Sequence, residues 1–379
     1  MKRRSLLKGM GAVATALPIT TALAPRAMAD GNELTRGDIA ILRFLSAAEQ
    51  IETDLWEQYT ELGGTQDSEE SGAGGGNALY MAALEILDED MPQYIHDNTD
   101  DEQSHVAFLN AYLRSKYAPG VDLSPFRRLK GSTAQGAVNK LRITNLMELT
   151  IDTAFWSRYR SVTNPDFDPA ARFSLAVPSL NKGQHTAIPR DDNDTKGSSI
   201  SSNNPMTLTP FLQAIAFTAG FHFAWIEQGG TSLYATLAQQ VTSLEVLRIL
   251  ISIGGSEVMH FQTWQDKAGN ALPLTNVVDP RTGVLVSFND LTQAKGETNP
   301  ESTNGDVLQS NLIMPEPAHF ISRDLPPVSI IRPSSPGKSG AMAAMRGFQN
   351  DGLFIGQKKD FLDFVFDLAQ EADEARRQY

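Results

Sequence analysis

The sequence predicts a mainly α-helical protein whose core is a four-helix bundle, interrupted by a long insertion and followed by an irregular C-terminal extension. Three observations carry this. Several long segments repeat apolar residues at spacings of 3, 4 and 7, the signature of one buried helix face. A glutamate-bearing helix followed by a Glu-x-x-His helix occurs twice, in the same order. The chain is 379 residues long and 41% hydrophobic, enough for a sizeable core, and it has no cysteine. The last point excludes disulfide staples, thiolate metal sites and a cysteine nucleophile together.

The elements follow in order. Residues 1–29 open with MKRRSLLK, continue with the weakly apolar run GMGAVATALPITTALA and end on Arg26 and the triplet Ala27-Met28-Ala29. A basic head, a short apolar middle and an Ala-x-Ala exit describe a secretory signal peptide. Paired Arg3 and Arg4 point to the twin-arginine route. The apolar run, containing Gly, Pro and Thr, is too short and polar to span a bilayer well, so the mature chain is expected to carry no stable membrane span. Partners are then the twin-arginine export machinery, and the location is periplasmic or secreted. The 1–29 segment has five basic residues and no acid, so the remainder is more acidic still than the net charge of -13. Such a body repels phosphate backbones, and nucleic acid is not an expected partner.

Ile41, Leu45, Ala48, Leu55, Tyr59 and Leu62 predict a helix over 35–62, stopped by Gly63-Gly64. A Gly/Ser/acidic loop over 64–77 leads to a short helix over 78–88 and a long one over 91–117. Residues 119–206 are an insertion, expected to hold an extra helix at 134–161 and a polar, Pro-rich excursion over 163–206. Helices are predicted again over 207–240 and 243–267. From 269 to 379 the texture turns irregular, with β-like runs at 284–288 and 328–332 and a last helix over 357–378. A domain boundary is placed near 269, giving a helical domain at 35–268.

The repeat carries the chemistry. Residues 49–56 and 227–234 both read E-Q-x-x-T-x-L-aromatic; residues 101–105 and 256–260 both read x-E-x-x-H. Glu and His three residues apart leave one helix face and can reach one ion. One Glu from each of two helices, with Glu-x-x-His from each of two others, is the ligand set of carboxylate-bridged di-iron and di-manganese proteins. The candidate ligands are Glu49, Glu102, His105, Glu227, Glu257 and His260; carboxylate and imidazole suit iron, manganese or zinc, and iron or manganese is the expected cofactor. Glu52 competes with Glu49 on helical phase, and the repeat favours Glu49. Glu148 and Asp152 compete with Glu227; an ion pair with Arg142 or Arg158 is their plainer role. His222 lies about 140° around the helix from Glu227 and reads as a core or surface histidine. His96 lies about 13 Å along the axis from His105, too far to share an ion. Trp56 and Tyr234 are expected to pack in the core or line the site. Gly229-Gly230 is costly inside a helix and predicts a close crossing, a bulge or a break.

With these residues the chain resembles the ferritin-like superfamily, in particular exported bacterial ferritin-like domain proteins related to plant desiccation-related proteins. The strings AAEQIETDLWEQY, DEQSHVAFLNAYL, FHFAWIEQGGTSLY and SEVMHFQTW carry the resemblance, which covers 35–268. It implies an antiparallel bundle with a long crossover between the second and third core helices. It also implies iron or manganese redox chemistry with O₂ or peroxide, and a homo-oligomer among the partners. The 119–206 crossover argues against a 24-subunit cage. Two functions stand side by side: a metal-binding or redox protein, and a non-catalytic stress or desiccation-related binding protein with a vestigial site. A carboxylate hydrolase is a weaker third, for want of a nucleophile motif.

Overall fold

Helix boundaries are written in the capping residues. The computed structural model describes residues 34–67, 75–158, 175–201, 204–291 and 339–378. The expected signal at 1–29 and the β-like run at 328–332 lie outside them. Helix α1 (Arg36–Gly63) starts at Thr35, whose Oγ1 accepts from Asp38 N at 3.0 Å while the Asp38 carboxylate reaches back to Thr35, a capping box. Short α2 (Ala78–Leu84) is capped by Asn77. Helix α3 (Met91–Ser115) has Pro92 in its first turn, where a missing N–H costs nothing. Helix α5 (Pro210–Ala238) and α6 (Leu244–Ala268) are capped by Thr209 and Ser243. Between α3 and α5, α4 covers Ala154–Arg158; α7 (Ala341–Asp351) and α8 (Lys359–Glu374) are the last two helices. The protein is mainly helical. Three two-stranded antiparallel hairpins complete the described residues: β1 (Leu129–Lys130) with β2 (Leu141–Arg142), β3 (Ser199–Ser201) with β4 (Asn204–Thr207), and β5 (Leu274–Val278) with β6 (Leu285–Phe288).

Residues 34–379 form one unit. In it α1 packs along α3, and α5 along α6; α8 lies on α1, and α7 bridges α8 and α5. One carboxylate links the two long pairs: Asp38 Oδ1, in the first turn of α1, accepts Thr242 N at 2.8 Å from the turn joining α5 to α6. The packed interior is rich in rings, with Trp56, Trp264, Tyr59, Phe44, Phe217, Phe221 and Phe223 fully buried. Helix α5 is apolar nearly all round and accordingly sits in the middle, touching α2, α6, α7 and the β5–β6 hairpin. No helix among the described residues is long and apolar enough to cross a membrane.

The expected helix over 134–161 is corrected for its described part: residues 134–153 are turns, loop and the short strand β2, and only Ala154–Arg158 is helical. Its backbone groups find partners elsewhere, and those partners hold it open. The buried Asp54 carboxylate on α1 accepts Ile143 N, Thr144 N and Thr144 Oγ1, each at 2.8 Å, and is also paired with Arg127. Leu149 and His185 exchange both backbone bonds at 2.8 Å. Asn139 sits at a φ of 58°, outside the helical region. The plainer role expected for Arg142 is also corrected: it is buried against Glu57 and Glu61 of α1 rather than Glu148 or Asp152. The periodicity over 134–161 reflects apolar anchors of a loop laid across the core, since Ile143, Leu146, Leu149 and Ile151 are all buried.

Asp54→Ala should therefore cost about 3–5 kcal/mol, as loss of one partner of a buried charge pair does. Urea unfolding of the variant checks it, and a change near zero would show that the loop is held by its apolar anchors alone.

Candidate metal centre

Glu49 is at the middle of α1, Glu102 and His105 on α3, Glu227 on α5, and Glu257 and His260 on α6. All six are buried, and they meet. Glu49, Glu102, His105 and Glu257 bring one ligand atom each to within 4.8 Å of one another; Glu102, Glu227, Glu257 and His260 do the same. The two groups share Glu102 and Glu257. His105 Nδ1 is 3.2 Å from both Glu49 Oε2 and Glu102 Oε2 and 3.7 Å from Glu257 Oε1. His260 Nδ1 is 3.4 Å from Glu102 Oε1 and from Glu227 Oε2.

The surrounding polar groups fix each ligand. His105 Nε2 bonds Ser256 Oγ at 3.1 Å, and His260 Nε2 bonds Asp101 Oδ2 at 2.9 Å. Holding Nε2–H outward leaves each Nδ1 facing the carboxylates, the arrangement that orients an imidazole toward a cation. The exchange is reciprocal: the residue before the Glu of each Glu-x-x-His motif holds the histidine of the other. Asn98 Nδ2 donates to Glu102 Oε1 at 3.0 Å and to Glu227 Oε1 at 3.1 Å, and Asn98 Oδ1 accepts Trp264 Nε1 at 2.6 Å. Tyr234 donates its hydroxyl to Glu49 Oε1. Asp101, Ser256 and Asn98 were not legible as site residues. Their signal lay in phase: Asn98 is one turn before Glu102 on the same face, and Asp101 and Ser256 occupy matching positions in the repeat.

The rivals fall elsewhere. Glu52 is buried beside the centre but belongs to neither converging group. Glu148 accepts from Asn145 Nδ2, and Asp152 caps Ala154 N. His222 is a core histidine bonded to Tyr59 and Asp351, and His96 bonds Asp67. Helix α5 runs unbroken through Gly229-Gly230, and the glycines serve a close approach. A Cβ on Gly230 would overlap the Glu257 carboxylate, and one on Gly254 would lie 2.8 Å from Tyr234 Cβ. Glycine at these two positions lets α5 and α6 close around the Glu257 and Tyr234 side chains.

The donor set fits a cation on its own terms. Four carboxylates and two imidazoles converge out of water, with Glu52 as a fifth acid nearby. Glu227 Oε2, both Glu257 oxygens and His260 Nδ1 are buried without a hydrogen bond; His260 Nδ1 and Glu227 Oε2 meet only as an ion pair at 3.4 Å, Glu257 Oε1 is 3.7 Å from His105, and Glu257 Oε2 has neither kind of contact. Orphaned buried polar atoms are rare, and this many at one point call for an ion or for protons. Without an ion, protons do the work. Burial, reinforced by Glu102 and Glu227, raises the Glu257 carboxyl well above its usual range, and burial with Glu102 and Glu49 does the same to Glu52. Burial and the Glu49 charge push Glu102 up to about 7. Burial pulls on His105 and His260 in the opposite sense, yet their carboxylate neighbours prevail and raise them to about 10 and about 12. Burial raises Glu49 too, but bonds and charge from His105, with bonds from Glu102 and Tyr234, outweigh it and leave Glu49 below its usual range.

No family model, no curated protein and no solved structure matches this chain.

Two expectations follow from the packing and the charges. Gly230→Ala should displace Glu257 and destabilise the fold, whereas Gly229→Ala, with open space around its Cβ, should be neutral or stabilise by about 1 kcal/mol through helix propensity. Paired denaturation curves check this. The metal-free protein should lose stability as pH rises from about 5 to 8. Glu102, with a pKa raised from 4.5 to about 7, stabilises fully below 4.5, and that contribution is lost as pH climbs through about 7. The histidines add the same sign, complete below 6.5 and lost toward about 10 and about 12. Glu49 changes only below 4.5 and does not oppose them in this window. A melting temperature of the metal-free protein that climbed over this range would contradict the charge assignment.

Proposed function

We propose that this chain is an exported ferritin-like protein whose helices α1, α3, α5 and α6 form an antiparallel bundle around a pair of iron or manganese ions. One observation carries the reading: six carboxylate and imidazole ligands from four helices converge in two groups that share Glu102 and Glu257, with four polar atoms there buried without a hydrogen bond. Glu49, Glu102 and His105 would hold one ion and Glu227, Glu257 and His260 the other, with Glu102 and Glu257 bridging. Oxygen and imidazole donors without sulfur suit iron or manganese. Such a pair, when bound, supplies one-electron redox chemistry toward O₂ or peroxide.

The chain's own residues prepare the site. Ser256 and Asp101 hold the two imidazoles in the tautomer that presents Nδ1. Asn98 and Tyr234 restrain three of the carboxylates, so little ordering is left for metal uptake to bring about. The surrounding Trp56, Phe223 and Trp264 rings exclude water and strengthen every charge interaction inside. Segment 1–29 would direct the protein through the twin-arginine route, which accepts folded cargo and so permits metal loading before export. In this reading the periplasm or the exterior is where the protein acts.

Elemental analysis of protein expressed with its export route intact should find about two equivalents of iron or manganese per chain, the number a dinuclear bundle site holds. Glu257→Ala combined with His260→Ala should lose both. Fe²⁺ or Mn²⁺ at 100 times its Kd should stabilise the metal-free protein by about 2.7 kcal/mol for each ion bound. Undiminished metal in the double variant would reject these ligands. No metal, no uptake and an unmoved melting temperature would favour the stress-related binding protein with a vestigial site.

A further inference from the structure

The centre is joined to a second buried polar group by a row of aromatic rings. Trp264, which donates to Asn98 beside the ligands, stacks on Trp56 with centroids 5.3 Å apart. Trp56 meets Tyr59 at 5.7 Å, and Tyr59 meets the His222 ring at 5.9 Å. His222 stacks on Trp225 at 6.3 Å with the planes 10° apart. Trp225 is partly exposed and lines a cavity of about 170 Å³ between α5 and α7. Three of the four tryptophans in the chain thus stand in one row from that cavity to the centre.

Core packing explains rings but not the polar chain at their middle. Tyr59 OH is 2.7 Å from His222 Nδ1, and His222 Nε2 is 3.0 Å from Asp351 Oδ2. All three residues are at most 2% exposed, and Asp351 Oδ1 has no partner. A buried Tyr–His–Asp chain is expensive beside three apolar side chains of similar size. Its geometry has one chemical use that packing lacks. A phenol that loses an electron must lose its proton, and His222 Nδ1 stands where that proton would go, with the Asp351 carboxylate behind it to hold the imidazolium.

We propose that Trp225, Tyr59, Trp56 and Trp264 form a relay carrying single electrons between the cavity face of α5 and the candidate metal centre, with Tyr59 as the storage point. The proposal rests on the metal reading for its electron acceptor, a metal pair oxidised by O₂ or peroxide. One electron leaves Tyr59 through Trp56 and Trp264. The phenolic O–H bond breaks, its proton passes to His222 Nδ1, and a neutral tyrosyl radical remains beside an imidazolium paired with Asp351. A one-electron reductant at the Trp225 face then returns an electron, and His222 returns the proton. Electrons, protons and charge balance over the cycle, with the reductant oxidised by one electron for each one delivered to the metal pair.

The test uses metal-free full-length protein. The chain has no cysteine, so Arg346→Cys, exposed on α7 one residue before the Gly347 that abuts Trp225, gives a single attachment point for a ruthenium polypyridyl photo-oxidant. Flash oxidation should produce tyrosyl absorption. In the labelled protein Tyr59→Phe should remove it, and Trp225→Phe should slow its appearance at least about tenfold, a barrier higher by about 1.4 kcal/mol. A signal of unchanged amplitude in Tyr59→Phe, an unchanged rate in Trp225→Phe, or no tyrosyl signal at all would overturn the relay. Should Tyr59→Phe fail to fold, the partly exposed Trp225→Phe still decides. A negative result leaves the metal reading intact, because no metal takes part; absence of metal in the elemental analysis removes the acceptor and not the ring-to-ring transfer.

Discussion

Five buried glutamates sit in the middle of an apolar core, and the rest of the structure is arranged around that constraint. A buried carboxylate is tolerated only when paired, hydrogen-bonded, protonated or bound to a cation. The chain uses pairing, hydrogen bonds and raised carboxyl pKa values. Asn98, Tyr234, Ser256 and Asp101 supply or anchor hydrogen bonds, and His105 and His260 supply charge. What they leave unmet is concentrated on Glu227, Glu257 and His260, on the α5–α6 side. The α1–α3 side is the better satisfied, since Glu49 bonds both His105 and Tyr234. The asymmetry has a structural source: Tyr234 reaches Glu49, whereas its counterpart in the repeat, Trp56, stacks in the core with its ring nitrogen unpartnered. A phenol can serve a carboxylate and an indole packed between rings does not.

The helices and the six converging residues were legible because both depend on period. Spacings of 3, 4 and 7 located α1, α3, α5 and α6 to within a few residues, and a motif repeated on two helix pairs placed its residues on facing sides. Phase also separated Glu49 from Glu52 only with the help of the repeat, since both lie on the buried face of α1. The insertion was misread for the same reason that the helices were read well. Apolar residues at 143, 146, 149 and 151 mimic a helical face, while the groups that hold the segment open, Asp54 and His185, lie far away in sequence. Periodicity reports which side chains are buried and not what their backbone bonds to. Helix α7 was missed because it is short and follows the Pro-, Ser- and Gly-rich run PSSPGKSG; its apolar face packs on α5 and α8.

Gly229-Gly230 shows how one local cost can serve two ends. Each glycine disfavours the helix by about 1 kcal/mol against alanine. For Gly230 the return is space for the Glu257 carboxylate. Gly229 meets nothing within reach of a Cβ, and it lines the same cavity as Trp225 and Glu52. Close packing on one side of α5 and open space on the other are therefore set by adjacent residues.

The C-terminal region and the insertion depend on each other. Thr150 N donates to Asp351 O and Asn145 N to Leu353 O, each at 2.8 Å, while Gln357 Nε2 donates to Phe126 O and Ile143 O. These bonds satisfy the backbone of a loop that would otherwise need water in a region without any. Asp351, the last residue of α7, also meets His222 on α5, so the segment that completes the loop also completes the Tyr59–His222–Asp351 chain. Residues far apart in sequence, 126 to 153 and 351 to 357, are thereby required at one place before either the core histidine or the insertion can be satisfied. The polar chemistry of the interior is then a property of the whole unit rather than of the four long helices alone.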